Sequence, residues 1–544
     1  MNSYLGDPIR CGETYLGLPA HLYATLRISA EKYPDKCALR EADGASVTFA
    51  QFKARVDSFS VLLAKKYRVQ PGDVCAILSV NSIDFCVAFY AILRCGAVAL
   101  PLSTKCKSID LLFPMVHSGC RILIMDAQWM DQVKPIASKT KIKDFVYTGE
   151  ASELRICSPA QPSEPILAHN GGAAILYTSG TTGKPRAAML THRNLLHAIE
   201  SYRRIVGLDH HDSSIIAIPI FNVTGLVALL ALFVAIGGTL WLLPRFDGEK
   251  MVRTCFENDI TFVHGSPTIF IKMLEQQDKY PKLPALTKGA CGSANLPMEV
   301  LRRLHDWIPD FRMYTVFGMT ETSSPATIMP DDPLVLGKPN SSGLPIPGVE
   351  IRIADTGTGR PLPAGCPGAL LVRGSTVITS YWGVDAVQNA VAFKDGWLDT
   401  GDIAKVDKDG YLYILDRRKD MINRGGEKIF SIEVENLLAT HPAVAECAVV
   451  GKADAVLGET VCAYVRLKPG SSVDAESLKT FMYGKLATYK LPVQYYFVEA
   501  FPKNPNGKIC KNELREMLEA TSRLEKGEDN YGNQSTIHNC CGSS

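Results

Sequence analysis

The chain has 544 residues, 46% of them hydrophobic, and its 58 Lys and Arg against 56 Asp and Glu leave a formal net charge of +2 at pH 7. That length exceeds one typical domain, and the mixed composition excludes wholesale disorder. So near a balance of charge supplies no field to draw nucleic acid or anionic lipid onto the surface, which leaves a small molecule as the expected partner. The 16 cysteines include no Cys-x-x-Cys pair, and the polar start MNSYLGDPIRCGET predicts no secretory leader. They read as reduced thiols of a cytoplasmic protein, not as a zinc ribbon or a disulfide framework.

Up to about position 415, amphipathic helical stretches alternate with short apolar strands. SFSVLLAKKY (58–67) reads as helix and VCAILSV (74–80) as strand, then FCVAFYAILRCG (85–96) as helix and AVALPL (97–102) as strand. This rhythm predicts crossover connections, largely parallel sheets and an α/β fold. The next strand, AAILY (173–177), runs into Thr178, Ser179, Gly180, Thr181, Thr182, Gly183 and Lys184. Such a turn can aim backbone N–H groups and hydroxyls at a phosphate, with Lys184 adding charge. It is not a Walker A loop: two residues, not four, separate its first Gly from Gly-Lys, and Pro185 follows the lysine. A second strand, AAML, comes next, and a helix opens near Thr191. By itself the stretch is either a polar turn or a phosphate loop.

From Val223 to Leu243 no charge interrupts VTGLVALLALFVAIGGTLWLL, which is long enough to span a bilayer. The alternative is a buried strand at 214–220, a core helix over 225–236 stopped by Gly237-Gly238, and a strand at 239–243. The paired glycines favour this buried division. Further on, FRMYT (311–315) reads as a strand leading into Val316-Phe-Gly-Met-Thr-Glu321. Glu321 can bind a hard Mg²⁺ and Thr320 can hydrogen-bond a phosphate oxygen, or Glu321 is simply an acid favoured near a helix N-terminus.

Around Asp402 the pattern turns to a hairpin, IAKV and YLYIL about Asp407–Gly410, which returns Arg417 towards Asp402 as a sugar clamp or a structural ion pair. The turn lacks the ligands of a calcium loop. Beyond Arg417 a compact α/β unit is predicted, with Val434, Leu437 and Leu438 on one helical stripe. Strands follow at AVAECAVVG and ETVCAYVRL, then a helix over about 474–486 and a strand near QYYFVE. Lys508, in Asn504-Pro-Asn-Gly-Lys-Ile509, presents an ammonium on a turn. The stretch from Arg523 reads as a flexible tail, and Cys540 and Cys541 lack a flanking segment that would make them a lipid anchor.

In this order YTSGTTGKPR, VFGMTE, DTGD, DRRKDMINRGGEKIFSIEVE and NPNGKI resemble the signatures of the adenylate-forming acyl-CoA synthetase superfamily over roughly residues 25–520. The resemblance implies a large N-terminal AMP-binding domain of stacked sheets and helices (1–416), a hinge (417–419), a small mobile α/β C-terminal domain (420–522) and a tail (523–544). It implies two partial reactions: acyl-AMP and pyrophosphate from a carboxylate and MgATP, then transfer of the acyl group to a thiol, usually that of coenzyme A. A carboxylate repels nucleophiles and has no good leaving group, which is why the activation is needed. By resemblance the 178–184 loop handles the β- and γ-phosphates, Glu321 the Mg²⁺ and Thr320 the α-phosphate, while Lys508 bridges carboxylate and reacting phosphate. Cys291, Gly292, Ser293, Ala294 and Phe317 flank adenine, Asp402 and Arg417 hold the ribose, Lys419 is the hinge, and Gly426 lets the pantetheine arm approach.

Three departures from the family pattern stand out. Phe317 replaces a more usual Tyr, and Arg186 stands in a KPRA where Lys-Pro-Lys-Gly is commoner. Asn222 occupies a position where many relatives carry an aromatic or His, and amino-acid-activating ones an Asp. A neutral amide cannot pair with a substrate amine. The expected substrate is therefore an amine-free fatty or other apolar acid, with Asn222, Val223, Leu226 and the 265–268 segment GSPT as pocket walls. Two other readings are a stand-alone enzyme loading a carrier-protein thiol and a non-catalytic nucleotide sensor; the joint presence of Glu321, Lys419, Gly426 and Lys508 argues against the sensor.

Overall fold

The structure is a computed structural model and describes residues 9–10, 12–42, 44–150, 170–178, 185–503 and 508–525. The chain forms two compact units, one from the chain up to Cys366 with 371–400 and 406–413, the other from 367–370, 401–405 and the chain from Ile414.

Two sheets dominate the first unit. One has six strands in the order Asp144–Tyr147, Ile122–Met125, Val74–Leu78, Val98–Pro101, Gly172–Thr178 and Arg186–Thr191. All pairs are parallel except the last. The other has nine, and its middle six, Arg312–Phe317, Lys288–Cys291, Phe262–Gly265, Ser213–Ile216, Thr239–Leu242 and Cys37–Glu41, run parallel in that order. Continuous apolar runs such as VCAIL are what a parallel strand covered on both faces requires, and every residue of Val74–Leu78 is buried. The helices start where side chains can satisfy their first N–H groups. Thr48 and Gln51 form a capping box ahead of Phe49–Lys65, and Ser82 caps Ile83–Arg94. Eleven of the twelve residues in Ile83–Arg94 are buried, among them Arg94, whose guanidinium meets Asp57 at 2.8 Å.

The long apolar run divides as its glycines suggest. A π-helix, Thr224–Ala231, passes into an α-helix, Leu232–Ile236, closed by Gly237 at φ 74°. Among the described residues no helix is long and apolar enough to cross a membrane. The strand expected at 214–220 stops at Ile216, since Pro219 has no N–H to give a ladder.

In the second unit the sheet order is Glu427–Ile429, Ile422–Arg424, Gly458–Leu467 and Val444–Asp454, with Gln494–Phe497 also paired to Gly458–Leu467. Val434, Leu438, Leu478 and Met482 share one apolar cluster, and Tyr464, Tyr496, Leu514 and Leu518 another. Two expectations need correction. The helix expected over 474–486 is Ala475–Met482, ending at an extended Tyr483 just before Gly484. The last helix, Lys511–Glu525, runs past Arg523, where the tail was expected to begin. KNELREMLEATSRLE is rich in strong helix formers and carries no breaker. Cys540 and Cys541 lie outside the described residues.

Candidate active site

Four neighbouring parallel strands of the nine-stranded sheet deliver four of the expected segments from their carboxyl ends. Ser213–Ile216 leads to Asn222, Phe262–Gly265 to the 265–268 wall, Lys288–Cys291 to Gly292, Ser293 and Ala294, and Arg312–Phe317 to Thr320 and Glu321. In open α/β sheets the carboxyl edge is where ligands bind. The segments touch: Gly292 N–H donates to the Gly265 carbonyl at 3.1 Å, and a Cβ built on Gly292 would lie 3.3 Å from the Val316 carbonyl oxygen. Ser293, at φ 70°, and Ala294 are exposed, while Phe317 is half-buried.

Glu321 sits at the tightest turn. A Cβ on Gly318 would fall 1.4 Å from the Ser324 carbonyl oxygen, so only glycine lets the chain close on itself there. Thr320–Thr322 makes one 3₁₀ turn, followed by Ser323 and Ser324 at φ 55° and 94°. Left-handed conformations in consecutive non-glycine residues are strained, and such strain concentrates at functional sites. The Glu321 side chain is buried at 5% exposure. Its Oε1 accepts from the Thr178 hydroxyl at 3.2 Å and the Tyr381 hydroxyl at 3.0 Å, and its backbone carbonyl accepts from Ile378 N–H at 2.9 Å. Thr178 is the last residue of a strand in the other sheet, so the two motifs, 143 residues apart, meet at one carboxylate. Ser179, Gly180, Thr181, Thr182, Gly183 and Lys184 lie outside the described residues.

Neither Tyr381 nor the use made of Arg186 was visible in the motifs. Tyr381 and Trp382 bond to the edge strand at Ala188 and Ala187, and the Arg186 guanidinium stands 5.5 Å from the centre of the Tyr381 ring. Burial, then the Glu321 charge, pushes the phenol well above its ordinary range, with Arg186 opposing. Tyr381 thus remains a neutral donor to Glu321. The only signal available beforehand was a tyrosine in an apolar-polar stretch, STVITSYWG, with no spacing to single it out.

Asn222 and Val223 are half-buried, whereas Leu226 has no exposed surface and backs them from the π-helix. Behind the 265–268 wall, His264 Nε2 lies 3.2 Å from the Tyr202 hydroxyl, which lies 3.0 Å from Ser324 Oγ. This buried chain joins the wall to the Glu321 turn.

In the second unit Asp402, 2% exposed, pairs with Arg417 Nε at 2.8 Å, as the length of the hairpin leads one to expect. Lys508 belongs to the same group. Much of its surface is open, yet desolvation and then the Arg417 charge lower its ammonium pKa, with Asp402 opposing. Lys419 is exposed and its carbonyl accepts from Arg515 Nη2 at 3.2 Å. Gly426, at φ 92°, donates its N–H to Asn423 Oδ1 at 3.1 Å; a Cβ there would touch nothing, so backbone conformation rather than crowding calls for glycine.

Comparison with known proteins places the chain in a family. The family described as AMP-binding enzyme matches residues 26–382, and the AMP-binding enzyme C-terminal domain matches 433–508. The 2-succinylbenzoate–CoA ligase of Bacillus licheniformis is 33% identical over 493 residues, 90% of this chain and 98% of that one. A long-chain-fatty-acid–CoA ligase of Bacillus subtilis is 30% identical over 534 residues, 91% of this chain and 94% of that one. The solved structure of o-succinylbenzoate coenzyme A synthetase from Bacillus subtilis, in complex with ATP and magnesium ion, superposes with a TM-score of 0.80 at 30% identity, covering 91% of this chain and 99% of that one. The chain therefore belongs to the AMP-binding enzyme family of adenylate-forming acid–thiol ligases.

Burial gives the His264 chain a measurable signature. It holds the imidazole down to a pKa of about 3 against an ordinary 6.5. The unfolded chain takes up that proton first, so the stability carried by neutral His264 is present above pH 6.5 and is lost as pH falls from there towards 3, by about 1.4 kcal/mol per pH unit. Thermal unfolding of His264→Gln between pH 7.5 and 5 should show a shallower fall in midpoint than the wild type; equal slopes would mean that His264 does not titrate on unfolding.

Proposed function

We propose that this chain is an ATP-dependent acid–CoA ligase that converts an amine-free carboxylic acid with an apolar body, aromatic or fatty, first to its acyl-adenylate and then to its CoA thioester. The observation that carries the reading is the meeting of Thr178 and Tyr381 on the buried carboxylate of Glu321, which joins the expected phosphate loop to the expected metal ligand. The donor set suits magnesium. Among the described residues no three His, Cys, Asp or Glu side chains converge, and magnesium needs no such cage, being held by one or two carboxylates together with substrate phosphates. Bound by Glu321, Mg²⁺ supplies charge neutralisation to the phosphates.

The chain's own groups do the rest. Thr320 and the 178–184 loop hold the phosphates of ATP, the segment from Cys291 to Ala294 and Phe317 hold adenine, and Asp402 with Arg417 holds the ribose. Lys508 places its ammonium between the acid's carboxylate and the α-phosphate while the acyl–phosphate bond forms and pyrophosphate leaves. Its pKa is lowered by desolvation first and by the Arg417 charge second, with Asp402 opposing. The 420–522 domain then turns about Lys419, and Gly426 gives the pantetheine arm room to bring its thiol to the acyl carbon, with AMP leaving. Neutral Asn222 supports an acid without an amine. The apolar side chains of Val223 and Leu226 support an apolar body, as does the fatty-acid substrate named for one relative, while 2-succinylbenzoate, named for the other, is aromatic but carries a second carboxylate.

Pyrophosphate release should require both an acid and Mg²⁺, and mass analysis with CoA present should find the thioester. No release across a panel of aromatic, fatty and short-chain acids would favour a nucleotide-binding sensor instead. Acyl-adenylate without thioester would point to a carrier-protein thiol as the acceptor. Lys508→Ala should slow acyl-adenylate formation by roughly 10²–10³, the usual loss for one aimed charge-stabilising contact, while leaving thioester formation from supplied acyl-adenylate near the wild-type rate. Equal loss in both steps would contradict this division of labour.

A further inference from the structure

Asn81 lies just beyond the carboxyl end of Val74–Leu78, in the turn before Ile83–Arg94, and is 5% exposed. Its amide does not serve its own sheet. Nδ2 donates to the Ile218 carbonyl at 2.9 Å and the Leu243 carbonyl at 2.8 Å, and Oδ1 accepts from Ile220 N–H at 2.9 Å. These backbone groups lie just past the ends of two strands of the nine-stranded sheet, Ser213–Ile216 and Thr239–Leu242. Ser213–Ile216 and Thr239–Leu242 pair as far as Ile216 with Leu242, and Leu243 N–H makes a last bond to the Ile216 carbonyl at 3.0 Å. Past that bond the strands part, and the Asn81 amide takes the place of a missing strand. Two carbonyls face its nitrogen closely and that of Ile216 lies at 3.5 Å, while one N–H faces its oxygen, so a single orientation satisfies the close bonds.

The segment so held is the one that leads to the acid pocket. Asn222 comes two residues after Ile220, then Val223 and the π-helix. Pro219 is gripped from the other side: its carbonyl accepts from Asn222 N–H at 3.2 Å and lies 2.6 Å from where a Cβ on Gly225 would stand. Asn81 and Gly225 thus confine residues 218–222 between the two sheets and the helix start. Buried polar bonds of this kind pin a backbone in place, because leaving any of the three groups unpaired is costly.

We infer that Asn81 is a positioning residue for acid selection: acting through the Ile218–Ile220 backbone, it sets where Asn222 and Val223 stand and hence which acids fit. The inference rests on the ligase reading above. It separates acid recognition from nucleotide binding, since Asn81 bonds to the Asn222 segment and to none of the segments assigned to ATP.

Steady-state kinetics of Asn81→Asp across the same acid panel, at pH 5.5 to 8, tests it. The substitution keeps the acceptor for Ile220 and turns the donor into an oxygen facing two carbonyls. A buried carboxyl there holds its proton above the usual carboxylate range, and the protonated form returns one donated bond. At pH 8 the acid KM should rise about tenfold, the size expected for one buried hydrogen bond, with the ATP KM changed less than about twofold. The rank order of acids should change, and the deficit relative to wild type should shrink as pH falls. Asn81→Ser, smaller and uncharged, should show the same shift in acid ranking without the pH dependence. An unchanged ranking, or acid and ATP KM rising together, would overturn the inference, as would failure of both variants to fold, which would mark a scaffold residue only. Wild-type protein inactive on every acid would instead bring down the ligase reading, and this inference with it.

Discussion

A carboxylate taken out of water must be given partners or it gives up its charge. Glu321 is 5% exposed, and what surrounds it explains much of the first unit. One hydroxyl comes from Thr178 at the end of one sheet, the other from Tyr381, and the carboxylate itself rides on a turn at the end of a strand in the other sheet. Two parallel sheets must therefore bring their carboxyl edges together, and the turn must close tightly enough that residue 318 can carry no side chain. The motif residues are conspicuous because this one point makes so many demands on them.

The same edge explains why buried polar side chains span the two sheets. Parallel strands end with unsatisfied backbone groups, and those ends are where ligands are received. A water-filled opening there could hydrate them but would leave the pocket walls loose. Asn81 satisfies them with protein instead, and the His264–Tyr202–Ser324 chain ties the wall at 265–268 to the Glu321 turn. Both devices are neutral at physiological pH, so they hold the pocket's shape without adding a field that would compete with the charges at the site.

In the second unit the charges are handled differently. Asp402 pairs with Arg417, and at Lys508 desolvation and then the Arg417 charge loosen the proton while Asp402 opposes them. Nearby, Lys511 pairs with half-buried Glu435 at 2.7 Å, and Ser431 donates its hydroxyl to Asp416 at 3.0 Å. Arg515 binds Asp420 at 2.6 Å. The last helix thus supplies cations to Glu435 and Asp420, both of which follow the 417–419 segment. Contacts so close to the expected hinge are stronger constraints than exposed ion pairs, because little water screens Asp416 or Asp420.

How far the molecule was legible depended on the range of the forces involved. Strand and helix positions followed from apolar spacing, and the Asp402–Arg417 pair from the length of one hairpin, because both are set by residues a few positions apart. The gathering of motifs was expected only through a resemblance, and the helix that runs to Glu525 was cut short by composition at the tail. Tyr381 and Asn81 escaped altogether: nothing near either one in the chain marks it, and each acquires its role from groups 60 and more than 130 residues away. By itself the amino-acid sequence determined the alternating α/β pattern, the chemistry present at each motif and the neutrality of the position at Asn222, since these are properties of local pattern and residue type. Only the tertiary structure decided which hydroxyls hold Glu321, which amide holds the 218–222 segment and where the strands stop, since those depend on which sheet edges meet, and hydrophobic periodicity carries no record of that.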